Sequence, residues 1–288
     1  MQRFNVLQGF VELIEVMGND HSIPAAARIC TGCENEKGPD VERDRKLIRY
    51  LMRHQHWTPF EMAELKFRIL CPMDVWRQWI RHRTASVNEY STRYSNAIER
   101  TATTEAGAWR KASNTRRQGS ADEMLPEEKG IELSRREVDF LEEAKSVYHE
   151  RLAAGVAREQ ARKDLPLSTF TEAIWKIDLR NLFHFLKLRM SKEAQLEIRQ
   201  YANAVALLTQ SAFPICYEAF LDFELNATTL TAVDVQCLAS LLSGAGITED
   251  RVRELWCDRF GCAVPSNQKD SEREEFIKKL AEIGVING

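Results

Sequence analysis

The chain has 288 residues, a net charge of −3, 44% hydrophobic residues and 29% charged residues. A slightly acidic balance argues against a protein that coats polynucleotides, and no apolar stretch approaches the length of a membrane span. We therefore predict a cytoplasmic globular protein with no nucleic-acid partner and no membrane partner.

Strand and helix patterns alternate in the first part of the chain. Residues 10–17 are rich in strand-forming side chains and end at a turn over residues 18–20. A short helix over residues 24–29 and a longer one through residues 47–52 follow. Residues 61–70 alternate apolar side chains loosely, which predicts a second strand.

A helix is predicted to begin at Pro72, because proline suits the first turn, where its missing N–H costs nothing. No helix breaker interrupts the segment from Pro72 to Arg81. On such a helix Asp74, Gln78 and Arg81 recur at i, i+4 and i+7, so they share one face.

The segment after Arg83 suits an extended strand better than a helix. Side chains alternate between the two faces of a strand. One face would then carry four polar or charged side chains: Glu89, Ser91, Arg93 and Ser95.

The arginines of this region are the strongest sign of function. Guanidiniums repel one another, and a phosphate between them accepts bidentate hydrogen bonds that offset the repulsion. A helix end carrying Gln78 and Arg81 and a strand carrying Ser91 and Arg93 could therefore clamp a phosphate or a nucleotide. The alternative is a salt-bridged surface in which the arginines pair with nearby carboxylates: Asp74, Glu61 or Glu64.

The middle of the chain is polar and then helical. The polar composition of residues 96–133 predicts a mobile loop over a site. Ser134 with Glu137 forms a capping box, so a helix is expected to begin at Ser134. A short helix over residues 157–163 and a strand over residues 168–177 follow.

A helix that carries two candidate site residues comes next. Asp178 is predicted to cap it, and it runs to Arg189. Arg180 and His184 lie at i and i+4 and therefore share a face. For Arg180 the alternative is a surface ion pair with Asp178, and for His184 it is ordinary placement on a helix surface.

These patterns together predict an α+β fold, in which a mixed sheet core is flanked by helices and followed by a helical C-terminal extension. We divide the chain into a core domain over residues 1–225 and an extension over residues 226–288.

Seven cysteines are scattered along the chain, and we expect free thiols. Cys30 and Cys33 have the Cys-x-x-Cys spacing of metal and redox sites, and Cys257 with Cys262 could complete a four-thiolate zinc site. Because Cys-x-x-Cys recurs by accident and the second pair lacks that spacing, we predict no metal site.

Several ordered motifs resemble the signature of the flavin-dependent thymidylate synthases. They are Arg81-His82-Arg83 followed by Ser91, the segment His56–Glu61 upstream, and the segment Asp178–Arg189 downstream. The similarity runs from about Gly9 to Phe223.

The resemblance implies an enzyme that converts dUMP to dTMP. The carbon donor would be 5,10-methylenetetrahydrofolate, and FAD, re-reduced by NADPH, would carry the hydride. The resemblance also implies a homotetramer whose active sites lie where subunits meet. FAD would supply the hydride chemistry, which leaves the protein to position and polarise the uracil ring.

The resemblance also assigns roles to residues, with Arg189 as the catalytic residue. The residues that would hold dUMP are Gln78, Arg81, Glu89, Tyr90, Ser91, Thr92, Arg93, Arg162 and Arg189. Those that would contact FAD are Thr58, Arg81, His82, Arg83, Asn88, Glu89, Asp178, Arg180 and His184. Asparagine often stands in this family where the chain has Asp178 and His184.

Two other functions use subsets of the same residues. A non-catalytic nucleotide- or RNA-binding module would use the arginines and aromatic side chains without turnover, and its affinity would fall steeply with salt. A zinc-stabilised scaffold would use the four cysteines named above. Of the three hypotheses, only the enzyme hypothesis predicts flavin absorbance together with dUMP-dependent oxidation of NADPH.

Overall fold

The computed structural model describes residues 2–30, 32, 40–114, 119–242, 245–260 and 271–286. The chain divides into two compact units, Met1–Asn226 and Ala227–Gly288. Within the described residues, none of the helices has the length and apolar character needed to cross a membrane.

The described part of the first unit contains the strands β1 Gln2–Val6, β2 Gly9–Met17, β3 Glu64–Pro72, β4 Ser86–Glu89, β5 Arg110–Ala112, β6 Ser120–Met124 and β7 Phe170–Asp178. Five of them form one sheet in the order β1-β2-β3-β7-β4, and β5 pairs with β6 in a separate hairpin. The predicted α+β class is confirmed. The sheet is not mixed as predicted, because each of its four pairs of neighbouring strands is antiparallel.

The described helices of the first unit are α1 Ser22–Ile29, α2 Val41–Arg53, α3 Met73–Trp79, α4 Glu127–Ala153, α5 Arg158–Ala161, α6 Leu179–Arg189, α7 Leu196–Ala212 and α8 Pro214–Phe220. Asp40 caps α2 by accepting a hydrogen bond from the Arg43 N–H at 3.1 Å. Asp178 caps α6 by accepting from the Asn181 N–H at 2.9 Å, as predicted.

One apolar core joins the sheet to α3, α6 and α7. Alternate residues of β7 are buried, which is the pattern of a strand with one face against the core. Trp76 and Trp79 of α3 and Phe185 of α6 are buried in the same core. This packing fixes the end of α6 beside the segment that follows α3.

The second unit contains the helices α9 Ala232–Leu242, α10 Glu249–Phe260 and α11 Ser271–Glu282. Its own small core is formed by Val252, Ile277, Val285 and Ile286. The helical character predicted for this part of the chain is therefore present.

The helix predicted from Pro72 to Arg81 is shorter than expected. Pro72 ends β3 and is the N-cap of α3, and the helix stops at Trp79. Two indoles fixed in the core hold α3, and the chain turns after them to bring β4 against β7. Arg81 therefore lies in the turn beyond the helix and not on its face.

The predicted start of a helix at Ser134 is wrong, because α4 begins at Glu127. Ser134 and Glu137 instead bind the preceding loop. The Ser134 hydroxyl donates to the Thr104 carbonyl at 2.6 Å and accepts from the Trp109 indole N–H at 2.9 Å. Glu137 accepts from the Thr104 N–H at 2.6 Å. The stretch predicted as a loop over residues 96–133 thus contains the β5–β6 hairpin and about the first two turns of α4.

Candidate active site

A cavity of about 400 Å³ lies between the end of α6 and the segment that follows α3. Its walls combine basic, polar and apolar side chains: Arg81, His82, Arg83, Thr84, Ile177, Asn181, His184, Leu188 and Arg189. None of these nine residues is acidic. The structure therefore gathers the arginines of the first motif and Arg189 around one space without a neutralising carboxylate in its wall.

Arg189 is held by a histidine. Its Nε–H donates to Nε2 of His82 at 2.9 Å. A guanidinium only donates, so this contact requires the neutral imidazole with its proton on Nδ1. Burial lowers the pKa of His82 to about 4, and the charge of Arg189 and the neighbouring His184 act in the same direction. His82 is thus a neutral hydrogen-bond acceptor at neutral pH.

The positive charge around the cavity is left uncompensated. Burial lowers the pKa of Arg189, and the nearby charge of Arg81 acts in the same direction. Within the described part of the chain, Arg81 and Arg83 form no ion pair. The salt-bridge alternative therefore does not account for these two arginines, and an anionic ligand would relieve their repulsion.

An aromatic cluster holds this arrangement in place. The ring of Trp79 lies 4.8 Å from that of Phe185 and 5.3 Å, edge on, from that of Trp175. Phe185 in turn meets the His82 ring at 5.0 Å. These contacts join α3, β7 and α6, so the distance from His82 to Arg189 is set by buried side chains.

The neutral state of His82 gives stability a specific pH dependence. Its pKa is about 4 in the folded chain and 6.5 in its usual state. Between these values the unfolded chain binds more protons, so the free energy of unfolding decreases as the pH falls from 6.5 to about 4. His82→Gln retains an acceptor for Arg189 and removes the titration.

Urea denaturation at a series of pH values across this window measures the effect. We expect the slope of stability against pH to be smaller in His82→Gln than in the unmodified protein. A His149→Gln control, on the outer face of α4, retains His82 and should retain the slope. Equal slopes in the unmodified protein and His82→Gln would show that His82 is not held neutral.

Gln78 lines a second, larger cavity of about 1140 Å³ that also includes Arg189. Its Nε2–H donates to Oε1 of Gln195 at 2.6 Å, and Nε2–H of Gln195 donates to Asp74 at 3.2 Å. Arg189 therefore stands between two adjoining spaces, one beside His82 and one beside Gln78.

Four further predicted substrate residues form a separate group. Arg162 donates to the Thr92 hydroxyl, and the Arg93 N–H donates to the Ser91 hydroxyl at 3.3 Å. The Arg93 side chain pairs with Glu159 at 3.0 Å. None of the four lines either cavity that contains Arg189. One copy of the chain brings the predicted site residues together as two groups and not as one.

The strand predicted to carry Ser91 and Arg93 ends earlier. β4 stops at Glu89, and residues 92–95 form a turn in which the Ser95 N–H bonds to the Ser91 carbonyl at 3.1 Å. The Tyr90 N–H still donates to the Glu172 carbonyl of β7 at 2.7 Å, but beyond Tyr90 the chain leaves the sheet, so strand alternation no longer decides which side chains share a face. The compact turn places the Ser91 hydroxyl next to a backbone N–H instead.

Residues at the end of β4 have partners of their own. Glu89 accepts a hydrogen bond from the Thr171 hydroxyl at 2.7 Å. The Tyr90 hydroxyl donates to the Asn96 carbonyl at 2.9 Å. Asn88 is exposed on β4. This strand is at the edge of the sheet, so one side of its backbone is not covered by another strand of the described residues.

The remaining predicted cofactor residues lie around the start of α6. Asp178 accepts from both the backbone and the side chain of Asn181, the latter at 2.7 Å. Arg180 forms an ion pair with Glu61 and not with Asp178. His184 lines the 400 Å³ cavity and, with Arg180, an adjoining cavity of about 570 Å³. Thr58 is exposed at the start of a 3₁₀ turn and lines neither cavity.

Sequence reasoning missed three polar residues that the structure places at the site. Thr84 and Asn181 line the cavity beside His82, and Gln195 bonds to Gln78. Thr84 follows the Arg81-His82-Arg83 motif directly, and Asn181 follows Asp178 by one helical turn. Their closeness to these motifs in the sequence could have identified both as site residues. Gln195 carried no such signal. The proposed zinc ligands Cys33 and Cys262, and the side chain of Cys257, lie outside the described residues.

Comparison with known proteins gives a consistent result. A family model described as thymidylate synthase complementing protein matches residues 12–215. A flavin-dependent thymidylate synthase of Thermus thermophilus is 45% identical over 263 residues, which cover 88% of this chain and 94% of that protein. One of Dictyostelium discoideum is 42% identical over 236 residues, covering 82% and 75%.

A solved structure shares the architecture. It is the crystal structure of a UMP/dUMP methylase, PolB, from Streptomyces cacaoi bound with 5-Br dUMP. The TM-score is 0.70 at 30% sequence identity, and the match covers 76% of this chain and 97% of that chain.

Proposed function

The chain is an enzyme of the flavin-dependent thymidylate synthase family, and we propose that it converts dUMP to dTMP. In this proposal 5,10-methylenetetrahydrofolate supplies the carbon, and FAD, re-reduced by NADPH, carries the hydride. The observation that supports it most is the acid-free cavity where Arg189 meets the Arg81–Arg83 segment. Unpaired guanidiniums beside apolar walls suit ligands that join phosphates to flat rings.

The residues around the smaller cavity fit FAD by their chemistry. Arg81 and Arg83 offer donors to a diphosphate, and Leu188 and Ile177 supply apolar surface for a ring. When bound, FAD supplies the hydride transfer for which no side chain is suited. We assign FAD contacts to Thr58, Arg81, His82, Arg83, Asn88, Glu89, Asp178, Arg180 and His184.

Arg189 is assigned the catalytic role. Its Nε–H is held by His82, so the remaining N–H groups keep a fixed direction. No acidic side chain lines the smaller cavity with it, and its charge therefore remains available to a ligand. A fixed guanidinium next to a uracil carbonyl polarises the ring, and it costs no reorganisation when the ring reacts.

Two groups of residues are assigned to dUMP. Gln78, Arg81 and Arg189 would hold the base, and the Ser91–Arg93 turn with Arg162 would hold the phosphate. The phosphate would replace Glu159 as the partner of Arg93. The full set is Gln78, Arg81, Glu89, Tyr90, Ser91, Thr92, Arg93, Arg162 and Arg189.

We further propose that the two groups come from different copies of the chain in a homotetramer. The separation of the Ser91–Arg93 turn from the cavities beside Arg189 supports this arrangement. β4, which leads into that turn, is an exposed sheet edge. Catalysis would then reside in residues 1–225, with residues 226–288 as an extension.

Absorbance and turnover test the proposal. The purified protein should show a flavin spectrum, or take up added FAD, and should oxidise NADPH in a dUMP-dependent manner. The product should be dTMP when 5,10-methylenetetrahydrofolate is present. A protein that binds no FAD, or that makes no dTMP with all components present, would contradict the proposed function.

A further inference from the structure

Three side chains form a hydrogen-bonded chain with a fixed direction. Asp74 accepts from Nε2 of Gln195 at 3.2 Å, and Oε1 of Gln195 accepts from Nε2 of Gln78 at 2.6 Å. A carboxylate only accepts, so the group that Gln195 turns towards Asp74 must be its NH₂. The carbonyl oxygen of Gln195 then faces Gln78, and Gln78 must in turn present its own NH₂.

We propose that Gln195 and Asp74 are positioning residues that set which end of the Gln78 amide the substrate meets. This inference rests on the proposed function. With its NH₂ bound to Gln195, Gln78 keeps Oε1 as an acceptor without a partner among the described residues. Gln78 and Arg189 line the same cavity. The three side chains therefore present one fixed acceptor to the cavity that Arg189, a group that can only donate, also lines.

The placement of the three residues keeps the orientation stable. Asp74 and Gln78 lie one turn apart on α3, and Gln195 immediately precedes α7. All three are partly buried. α3 and α7 also pack through Trp79 and Tyr201, whose rings are 6.4 Å apart. Rotation of the Gln78 amide would break its bond to Gln195 and set two carbonyl oxygens against each other.

A fixed acceptor on Gln78 together with the donor groups of Arg189 matches the hydrogen-bonding edge of uracil and not that of cytosine. Uracil offers an N3–H donor flanked by carbonyl acceptors. Cytosine has an acceptor at N3 and an amino donor at C4. Oε1 of Gln78 would accept from N3–H of uracil while Arg189 donates to a neighbouring carbonyl. Against cytosine the same oxygen would face a lone pair, and a site built on hydrogen bonds rejects such a mismatch strongly.

Paired variants test the inference through binding of dUMP and dCMP. Gln195→Glu places a carboxylate against Asp74 and breaks the hydrogen-bonded series of side chains. Adding Asp74→Asn together with Glu197→Gln restores it with the same direction, because the introduced amides donate to the new glutamate, which still accepts from Gln78; Glu197 is replaced because Gln195 also donates to its carboxylate. Gln195→Met keeps the volume and frees the amide of Gln78 to rotate. Each variant is titrated in the FAD-loaded form, where flavin absorbance reports both folding and nucleotide binding.

We expect Gln195→Glu to bind dUMP about 10-fold more weakly, and the triple variant to recover to within about 3-fold of the unmodified protein. Gln195→Met should lower the preference for dUMP over dCMP by about 10-fold. An unchanged preference in Gln195→Met, or no recovery in the triple variant, would overturn the inference. Unmodified, FAD-loaded protein that fails to bind dUMP would instead contradict the proposed function.

Discussion

Arg189→Ala should reduce turnover about 10²- to 10³-fold, because it removes the donor that we propose polarises the uracil ring. FAD should remain bound, since Arg81, Arg83 and His184 still line the cavity to which we assign it. Removing one of several mutually repelling guanidiniums should not weaken the fold. The measurements are dUMP-dependent oxidation of NADPH and the flavin spectrum of the purified variant.

Two matched variants sharpen this result. Arg251→Ala removes an exposed arginine of the second unit and should leave turnover unchanged. Arg189→Lys keeps the charge but loses the planar fork, so it should recover only a small part of the rate. Full activity in Arg189→Ala would show that another group polarises the ring.

Mixing two inactive variants should restore activity. Arg189→Ala and Arg162→Ala each disable one of the two groups assigned to dUMP. If those groups come from different copies, hybrid oligomers will contain sites in which both arginines are intact. Random assembly of equal amounts predicts about a quarter of the unmodified activity. The two variants are co-expressed with different tags, and hybrids are isolated through both tags before assay.

A second pair provides the control. Gln78 and Arg189 line the same cavity within one chain. Every site in hybrids of Gln78→Ala and Arg189→Ala should therefore lack one of the two side chains, so their activity should equal the mean of the two variants and show no recovery. Failure of the first pair to recover would place Arg162 and Arg189 in one chain and refute the interface arrangement.

Local signals in the sequence were sufficient for much of the fold. β2, β3 and β7 were predicted because their apolar residues alternate or cluster over the length of a strand. α6 was predicted because Asp178 is a good N-cap and the apolar face continues to Arg189. The same helix then carries His184 and Arg189 to the cavity. Cap and periodicity are both properties of a short window, which is why they could be read directly.

Other features depend on contacts between distant parts of the chain. Ser134 and Glu137 have the spacing of a capping box, but Thr104 and Trp109 occupy their side chains in the interior of α4. α3 ends before Arg81 because the strand that follows must pair with β7. A local sequence pattern does not reveal a distant partner that binds the same side chains or backbone.

The site shows the same division. His82 and Arg189 are 107 positions apart in the sequence yet share one cavity, and only the resemblance to a known family linked them beforehand. The partner of Gln78 could not be anticipated, since Gln195 belongs to the turn between α6 and α7. Its relevance depends on a distance of 2.6 Å between side chains of two different elements.

A crystal structure of the protein with FAD and dUMP tests the central claim most directly. We predict that the uracil ring contacts Arg189 and Gln78 of one copy, while Ser91, Arg93 and Arg162 of another copy bind the phosphate. FAD should lie against residues 81–83. A structure in which either ligand lies away from residues 78–93 and 178–189 would contradict the claim.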